Sequence, residues 1–519
     1  MSITSFYFLI LIAVGALFYY ILPKRCQWCV LLVLSIIFYY FAATPYTIGY
    51  LVISTFIAYA STMWIKRRRE AEEKEPHGAL IVTIVALALN AAIWFVIKGR
   101  GLWLPVASII IGKHNVDFYN KIAGYQLIAS LGMGYYTLQI IGYIIDCYWK
   151  NIVPQKNPLK LFLFVCYFPQ LTTGPISRYE QLDTLYEKHN FEYQNLCFGS
   201  QRILWGFVKK IVLAERVGVI VAAINAAPAT YTGFYSWITI LLYPLQMYAD
   251  FSGCMDIVLG VSEIFGIHLA ENFNNPFFSR TSQEFWQRWH ITLGTWAKDY
   301  VLYPLLKSKT MISFGKFTKR KLGKKKSKLL VNCVGMFILW MIMGIWHGGF
   351  RYVVGVSLWY WVILMLGEIL SPFFQKITNT LNMKTDSFAW HLFQSIRTYV
   401  IYAVGATFFS LGISNGIFRL KDAAKVILKK GYANPWIFFD QSILNTGISW
   451  GDINIIIIVT IMLVIVAIIR EKYGYARNWI REQSFIFRWI IWISLFVFVL
   501  IYGKYGPGYD ASIFIYQGF

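Results

Sequence analysis

The chain has 519 residues, 57% of them hydrophobic and only 14% charged. Soluble domains carry roughly 25% charged residues, so this composition excludes an ordinary water-soluble globular protein and leaves lipid as the solvent. Basic residues outnumber acidic ones 48 to 25, a net +23, but they lie in short runs beside apolar segments instead of on one open face, which excludes nucleic acid as a partner.

A helix needs about 20 apolar residues to cross roughly 30 Å of hydrocarbon. Residues 3–22 are predicted to form a first, retained membrane helix. No basic stretch precedes them and no small-residue cleavage site follows, so they do not read as a signal peptide. Residues 26–43 and 48–65 give two more helices, split by the turn-like Thr44-Pro45. Residues 80–97, 330–346, 453–469 and 486–502 reach or approach spanning length with almost no charge. Reading every long uncharged run as a helix gives about eleven spans. Basic loops at Lys24-Arg25, 67–69, 319–321 and 324–326 belong in the cytoplasm by the positive-inside rule, which puts the N-terminus outside. The seven cysteines are scattered. Cys26 and Cys29 have CxxC spacing but no second pair or nearby His, so they read as small apolar residues at a helix start, and no metal site is expected.

No soluble domain is visible. The whole chain, 1–519, reads as one integral membrane domain, with scaffold helices in 1–125, a core in 126–370 and C-terminal helices in 371–519. The stretch 133–361 stands apart because Gly, Pro, His, Asp, Asn and Arg recur within its apolar segments. Polar groups at membrane depth are costly and usually face a functional path. Pro169, Gly174 and Pro175 make residues 160–176 a re-entrant candidate. Residues 282–306 place Phe285, Trp286, Trp289, Leu293 and Trp296 at helical spacing, with Glu284, Arg288, Lys298 and Asp299 on other faces, which predicts an amphipathic helix lying along an interface or lining a cavity.

Among the seven histidines, His77, His114 and His189 fall in polar loops and are expected to be solvated. His268 and His391 lie near segment edges, where packing or interfacial roles are expected. His347 closes a strongly apolar span within Gly344-Ile345-Trp346-His347-Gly348-Gly349. An imidazole there must be hydrogen-bonded or reach water. It reads either as a helix cap or as a catalytic group. His290, in Phe285-Trp286-Gln287-Arg288-Trp289-His290, reads as structural or as a second proton-transfer group, because imidazole titrates near neutral pH. Asp250 and Asp256 lie within one apolar stretch. They read as helix anchors or, in a transporter, as coupling groups.

These segments resemble the membrane-bound O-acyltransferases, and in particular the alginate O-acetylation branch. The similar blocks occur in family order. They are Tyr136 to Gln139 with Tyr143 to Asp146, Phe168 to Ile176, Tyr248 to Gly253, Phe285 to His290, Trp296 to Tyr300, and Gly344 to Gly348. The ending from Gly508 to Tyr516 is similar to that branch too. Two departures stand out. Tyr360 occupies the place where relatives often carry a further His, and Phe408-Phe409-Ser410-Leu411-Gly412 lacks an expected Arg.

The resemblance implies an all-α polytopic fold, ring-like with a thin central site. It implies acyl transfer from a cytoplasmic thioester to an outer hydroxyl, with His347 as general base and His290 orienting or polarising the acyl carbonyl. Trp346, Gly348, Arg288, Trp289, Asp299, Asp250, Ser252, Gln139 and Pro175 are the supporting or channel-lining candidates. No cofactor is expected to be permanently bound; acetyl-CoA or an acyl-carrier thioester is the expected donor. The expected partners are the bilayer, a polysaccharide acceptor and an extracytoplasmic acyltransferase, in a bacterial cytoplasmic membrane. The alternatives are D-alanyl transfer to teichoic acid from a carrier protein, a transporter or flippase without ester chemistry, and a non-catalytic scaffold for a secreted acyltransferase.

Overall fold

The computed structural model describes residues 1–71, 77–111, 115–124, 128–429, 434–506 and 509. His114 and, apart from Tyr509, the C-terminal motif lie outside the described residues. The protein is polytopic and all-α. Among the described residues the only extended pairing is an isolated bridge between Phe273 and Trp289. Eight helices among the described residues are long and apolar enough to cross a membrane, and Phe6–Ile21 and Arg100–Ile110 are shorter apolar helices.

The main helices are α1 (Phe6–Ile21), α2 (Gln27–Ala42), α3 (Ile48–Ala71), α4 (His77–Ile97), α5 (Met133–Trp149), α6 (Pro158–Cys166), α7 (Tyr193–Phe207), α8 (Phe234–Ile264), α9 (Ser282–Arg288), α10 (Ile291–Ala297), α11 (Lys309–Trp346), α12 (Trp359–Thr380), α13 (Phe388–Leu428), α14 (Trp450–Tyr473) and α15 (Phe485–Tyr502). Ser5, Ser308, Ser387 and Ser449 start α1, α11, α13 and α14, each accepting a first-turn N–H on its side-chain oxygen. On α14 the exposed Ile457, Ile461 and Ile465 recur every four residues. An uncovered apolar stripe of that kind is what a lipid-facing helix presents.

The chain forms two compact units. The first comprises Met1–Val208, Phe251–Glu271 and Trp489–Phe519; the second comprises Lys209–Asp250 and Asn272–Arg488. In the first unit α3 packs on α4 and α5, and α2 packs on α6. The proposed re-entrant segment is α6, a break at Tyr167, a short helical turn Phe168–Leu171, a further turn at Thr172 and Thr173, and a buried irregular stretch through Pro175. The helix α7 approaches the first-unit part of α8 to backbone contact. A Cβ on Gly199 would stand 2.5 Å from the Gly260 carbonyl, and one on Gly206 would stand 2.6 Å from that of Gly253. Small residues let membrane helices close to this distance. Between these glycine pairs Arg202 donates to Asp256 at 3.0 Å and to Glu271 at 2.7 Å.

His189, expected to be solvated, is half-buried and tied down. Gln27 bonds both its main-chain N–H and its carbonyl, and Tyr19 Oη lies 2.8 Å from its Nδ1. The glutamine reaches it from α2, 162 positions away in the chain, which is why loop polarity gave no hint of it.

In the second unit α11 and α13 are each two helical arms. The breaks fall at Gly323 (φ 78°) and Gly412 (φ 78°). The first arm of α11 folds back on the second, where Thr318 and Ser327 share a hydrogen bond of 2.7 Å. The basic run between Lys307 and Lys328 is therefore an exposed helical hairpin and not a loop. The expected amphipathic helix over 282–306 is broken into α9, a bend at Trp289 and His290, α10, and a π-helical turn at Lys298–Leu302. The break follows from His290, whose φ of 48° lies in the left-handed region that ends a right-handed helix. Phe285, Trp289, Leu293 and Trp296 are all buried, so these aromatics form core and do not lie along an interface.

Candidate active site

The last turn of α11 delivers His347 as its C-cap, and the main-chain N–H of His347 donates to Met343 O at 3.3 Å. The side chain is 6% exposed. Its ring sits among Trp346 at 4.8 Å, Tyr352 at 5.4 Å and Phe409 at 6.1 Å between centroids. Gly348 turns the chain away at φ 90°. Gly344, one turn earlier, lets α11 meet the following segment, since a Cβ there would lie 2.0 Å from Ser357 Oγ. Glycine at these positions is what allows an apolar helix to end with its histidine enclosed by aromatic rings.

His290 is 4% exposed and lies between α9 and α10, outside the candidate spans. The bridge between Phe273 and Trp289 clamps the preceding residue. Asn272 then holds the histidine and the start of α10 together. Its carbonyl accepts from Ile291 N at 3.0 Å. Its Oδ1 lies 3.1 Å from Thr292 N, 2.9 Å from Thr292 Oγ1 and 3.2 Å from His290 Nδ1. Burial pushes the His290 imidazole down from its ordinary range to about 3, so the ring is neutral at physiological pH.

Two aromatic clusters, one around Trp289 and one around His347, meet the same helix α13 within the second unit. Trp286 on α9 meets Trp340 on α11 at 4.9 Å and Tyr360 on α12 at 4.7 Å. Tyr402 on α13 meets Phe285 at 4.3 Å and Trp289 at 5.2 Å, while Phe409 of the same helix meets His347. Tyr402 and Phe409 are two turns apart, about 10 Å along the helix axis. Tyr360, at the departure from the family pattern, is buried and donates to Tyr402 O at 2.9 Å. Its hydroxyl is thus used to join α12 to α13.

The other candidates divide. Trp346 and Gly348 adjoin His347, and Trp289 adjoins His290. Arg288 pairs with Glu284 at 2.9 Å and with Glu471 on α14. Asp299 is half-buried on the π-helical turn. Asp250 is buried against Lys210 Nζ at 2.6 Å, and the same ammonium meets Glu215 at 2.6 Å. Gln139, Pro175 and Ser252 are buried members of the first unit. Sequence reasoning missed Asn272, Tyr352 and Tyr402. Only the Asn- and Pro-rich run Asn272 to Phe277 offered a signal, that of a turn.

The second unit of this polytopic helical protein thus holds one buried histidine at the end of an apolar helix and another buried histidine bonded to an asparagine. Residues 152–410 match the model of the MBOAT, membrane-bound O-acyltransferase, family. The chain belongs to that family and is an acyltransferase. It is similar to the probable alginate O-acetylase AlgI of Pseudomonas aeruginosa, with 26% identity over 403 residues, 76% of this chain and 72% of that protein. It is similar to the peptidoglycan O-acetyltransferase of Helicobacter pylori, with 28% identity over 391 residues, 68% of this chain and 67% of that protein. Similarity to the teichoic acid D-alanyltransferase of Bacillus subtilis reaches 31% identity over 231 residues, 43% of this chain and 55% of that protein. Both histidines fall within the family-matched residues.

Proposed function

We propose that this protein moves an acyl group, acetyl in the first instance, from a cytoplasmic thioester to a hydroxyl of an extracytoplasmic cell-envelope polysaccharide or of a partner acyltransferase. The observation that carries this reading is His347, buried at the end of an apolar helix among Trp346, Tyr352 and Phe409 inside the family-matched region. A neutral imidazole there takes the proton of the attacking hydroxyl as its oxygen adds to the thioester carbon. The C–S bond then breaks, the ester C–O bond remains, and the thiolate leaves with the proton that His347 returns. General-base help of this kind contributes about 10²–10⁴ in rate. On this reading acetyl-CoA or an acyl-carrier thioester is the donor, the N-terminus faces outward and the membrane is the bacterial cytoplasmic one.

Replacing His347 by Ala at unchanged membrane level is the test. Loss of O-acetyl esters from envelope glycans is expected, and undiminished esters would sink the assignment. D-alanyl transfer is the second reading, favoured by the higher identity to the Bacillus protein over the matched segment. A deletion strain that loses D-alanine esters and keeps acetyl esters would select it. The transporter reading draws less support, because Lys210 and Arg202 each hold one of the two acids, Asp250 and Asp256, that it would need as coupling groups.

A further inference from the structure

The hydrogen bonds around Asn272 carry information about the protons of His290. The first N–H groups of α10 have no partner within their own helix. Asn272 satisfies two of them from outside, Ile291 N through its carbonyl and Thr292 N through Oδ1. A backbone N–H can only donate, so the atom of the Asn272 side chain facing Thr292 at 3.1 Å is the acceptor oxygen. Turning the amide over would set NH2 against N–H. The same oxygen lies 3.2 Å from Nδ1 of His290, and an oxygen that is acceptor-only requires Nδ1 to bring the hydrogen.

We infer that Asn272 is a positioning residue that locks His290 as its Nδ1–H tautomer, which makes Nε2 an acceptor and not a donor. This rests on the acyl-transfer reading for its meaning and on the hydrogen-bond geometry for its content. A neutral imidazole protonated at Nδ1 has no hydrogen at Nε2. It cannot donate to an acyl carbonyl, the role the family resemblance suggests. Any group that bonds Nε2 is a hydrogen-bond donor, such as a hydroxyl or an amide N–H. Polarisation of an acyl carbonyl therefore falls to groups other than His290.

The direct test is nitrogen NMR of the full-length protein in lipid, labelled with 15N at histidine. The His290 signals are assigned by their loss in His290→Gln. The wild type is expected to show a neutral ring protonated at Nδ1 and not at Nε2. Asn272→Asp, which keeps the acceptor oxygen, retains that pattern. Asn272→Ala, which removes it, loses the fixed Nδ1–H signal. Protonation at Nε2 in the wild type, or an unchanged pattern in Asn272→Ala, would overturn the proposal. None of these spectra depends on which acyl group is moved, so a failed acylation assay leaves them readable. With transfer assayable, Asn272→Ala lowers it by about tenfold or more while Asn272→Asp retains more of it, a split set by the weight of one buried hydrogen bond. Equal loss in both variants, with normal folding, would also overturn it.

Discussion

Adding one methyl group next to His347, without touching it, tests how tightly the site is held. In Gly344→Ala the new Cβ would lie 2.0 Å from Ser357 Oγ and 3.0 Å from both Tyr352 O and Val353 Cα. Carbon contacts settle at about 3.5–4.0 Å. Ser357 can swing aside only by giving up its hydrogen bond to Trp340 O, a loss of about 1 kcal/mol. The other two atoms are main chain and can yield only if the end of α11 moves away from them. Overpacking of this kind costs about 1–3 kcal/mol. A 1 Å displacement of a catalytic group can cost about 10²-fold in rate. Gly344→Ala is thus expected to lower thermal stability modestly and ester formation severely. Ser357→Ala removes the nearest clash, so the double variant should recover part of both. Thermal unfolding in detergent and ester content of envelope glycans, at matched membrane levels, report the two quantities. The reasoning fails if Gly344→Ala matches the wild type in both, or if the double variant shows the plain sum of two losses.

Two further perturbations probe the scaffold and the orientation. Arg202→Met leaves Asp256 and Glu271 without their guanidinium between the glycine contacts of α7 and α8, and because this network is only partly buried the loss is expected to fall short of about 3–5 kcal/mol, the cost of breaking a fully buried pair; an unchanged melting temperature would show that the glycine contacts alone hold these helices. Lys325→Cys, in a cysteine-free background, places a thiol on the exposed basic hairpin. An impermeant maleimide should reach it in inside-out vesicles and not in intact cells, and labelling of intact cells would reverse the orientation that the basic loops predict.

Much of this protein is decided by one-dimensional physics. Composition and run length place the chain in lipid, because the length of an apolar segment and the absence of charge need no knowledge of neighbours. The ordered blocks around His290 and His347 were legible for the same reason, since each is local in sequence. The details that give those residues chemistry were not. His290 breaks its helix because of its own backbone conformation, and its proton position depends on an asparagine 18 residues earlier. The walls of the His347 site come partly from Phe409, on a helix that begins 41 residues after it. Asp250 and Asp256 share one helix, yet each is bonded to a different cation, Lys210 and Arg202. A sequence states which groups are available; which donor meets which acceptor is settled only when distant helices pack, because hydrogen bonds act over about 3 Å and the chain brings such groups together only in three dimensions.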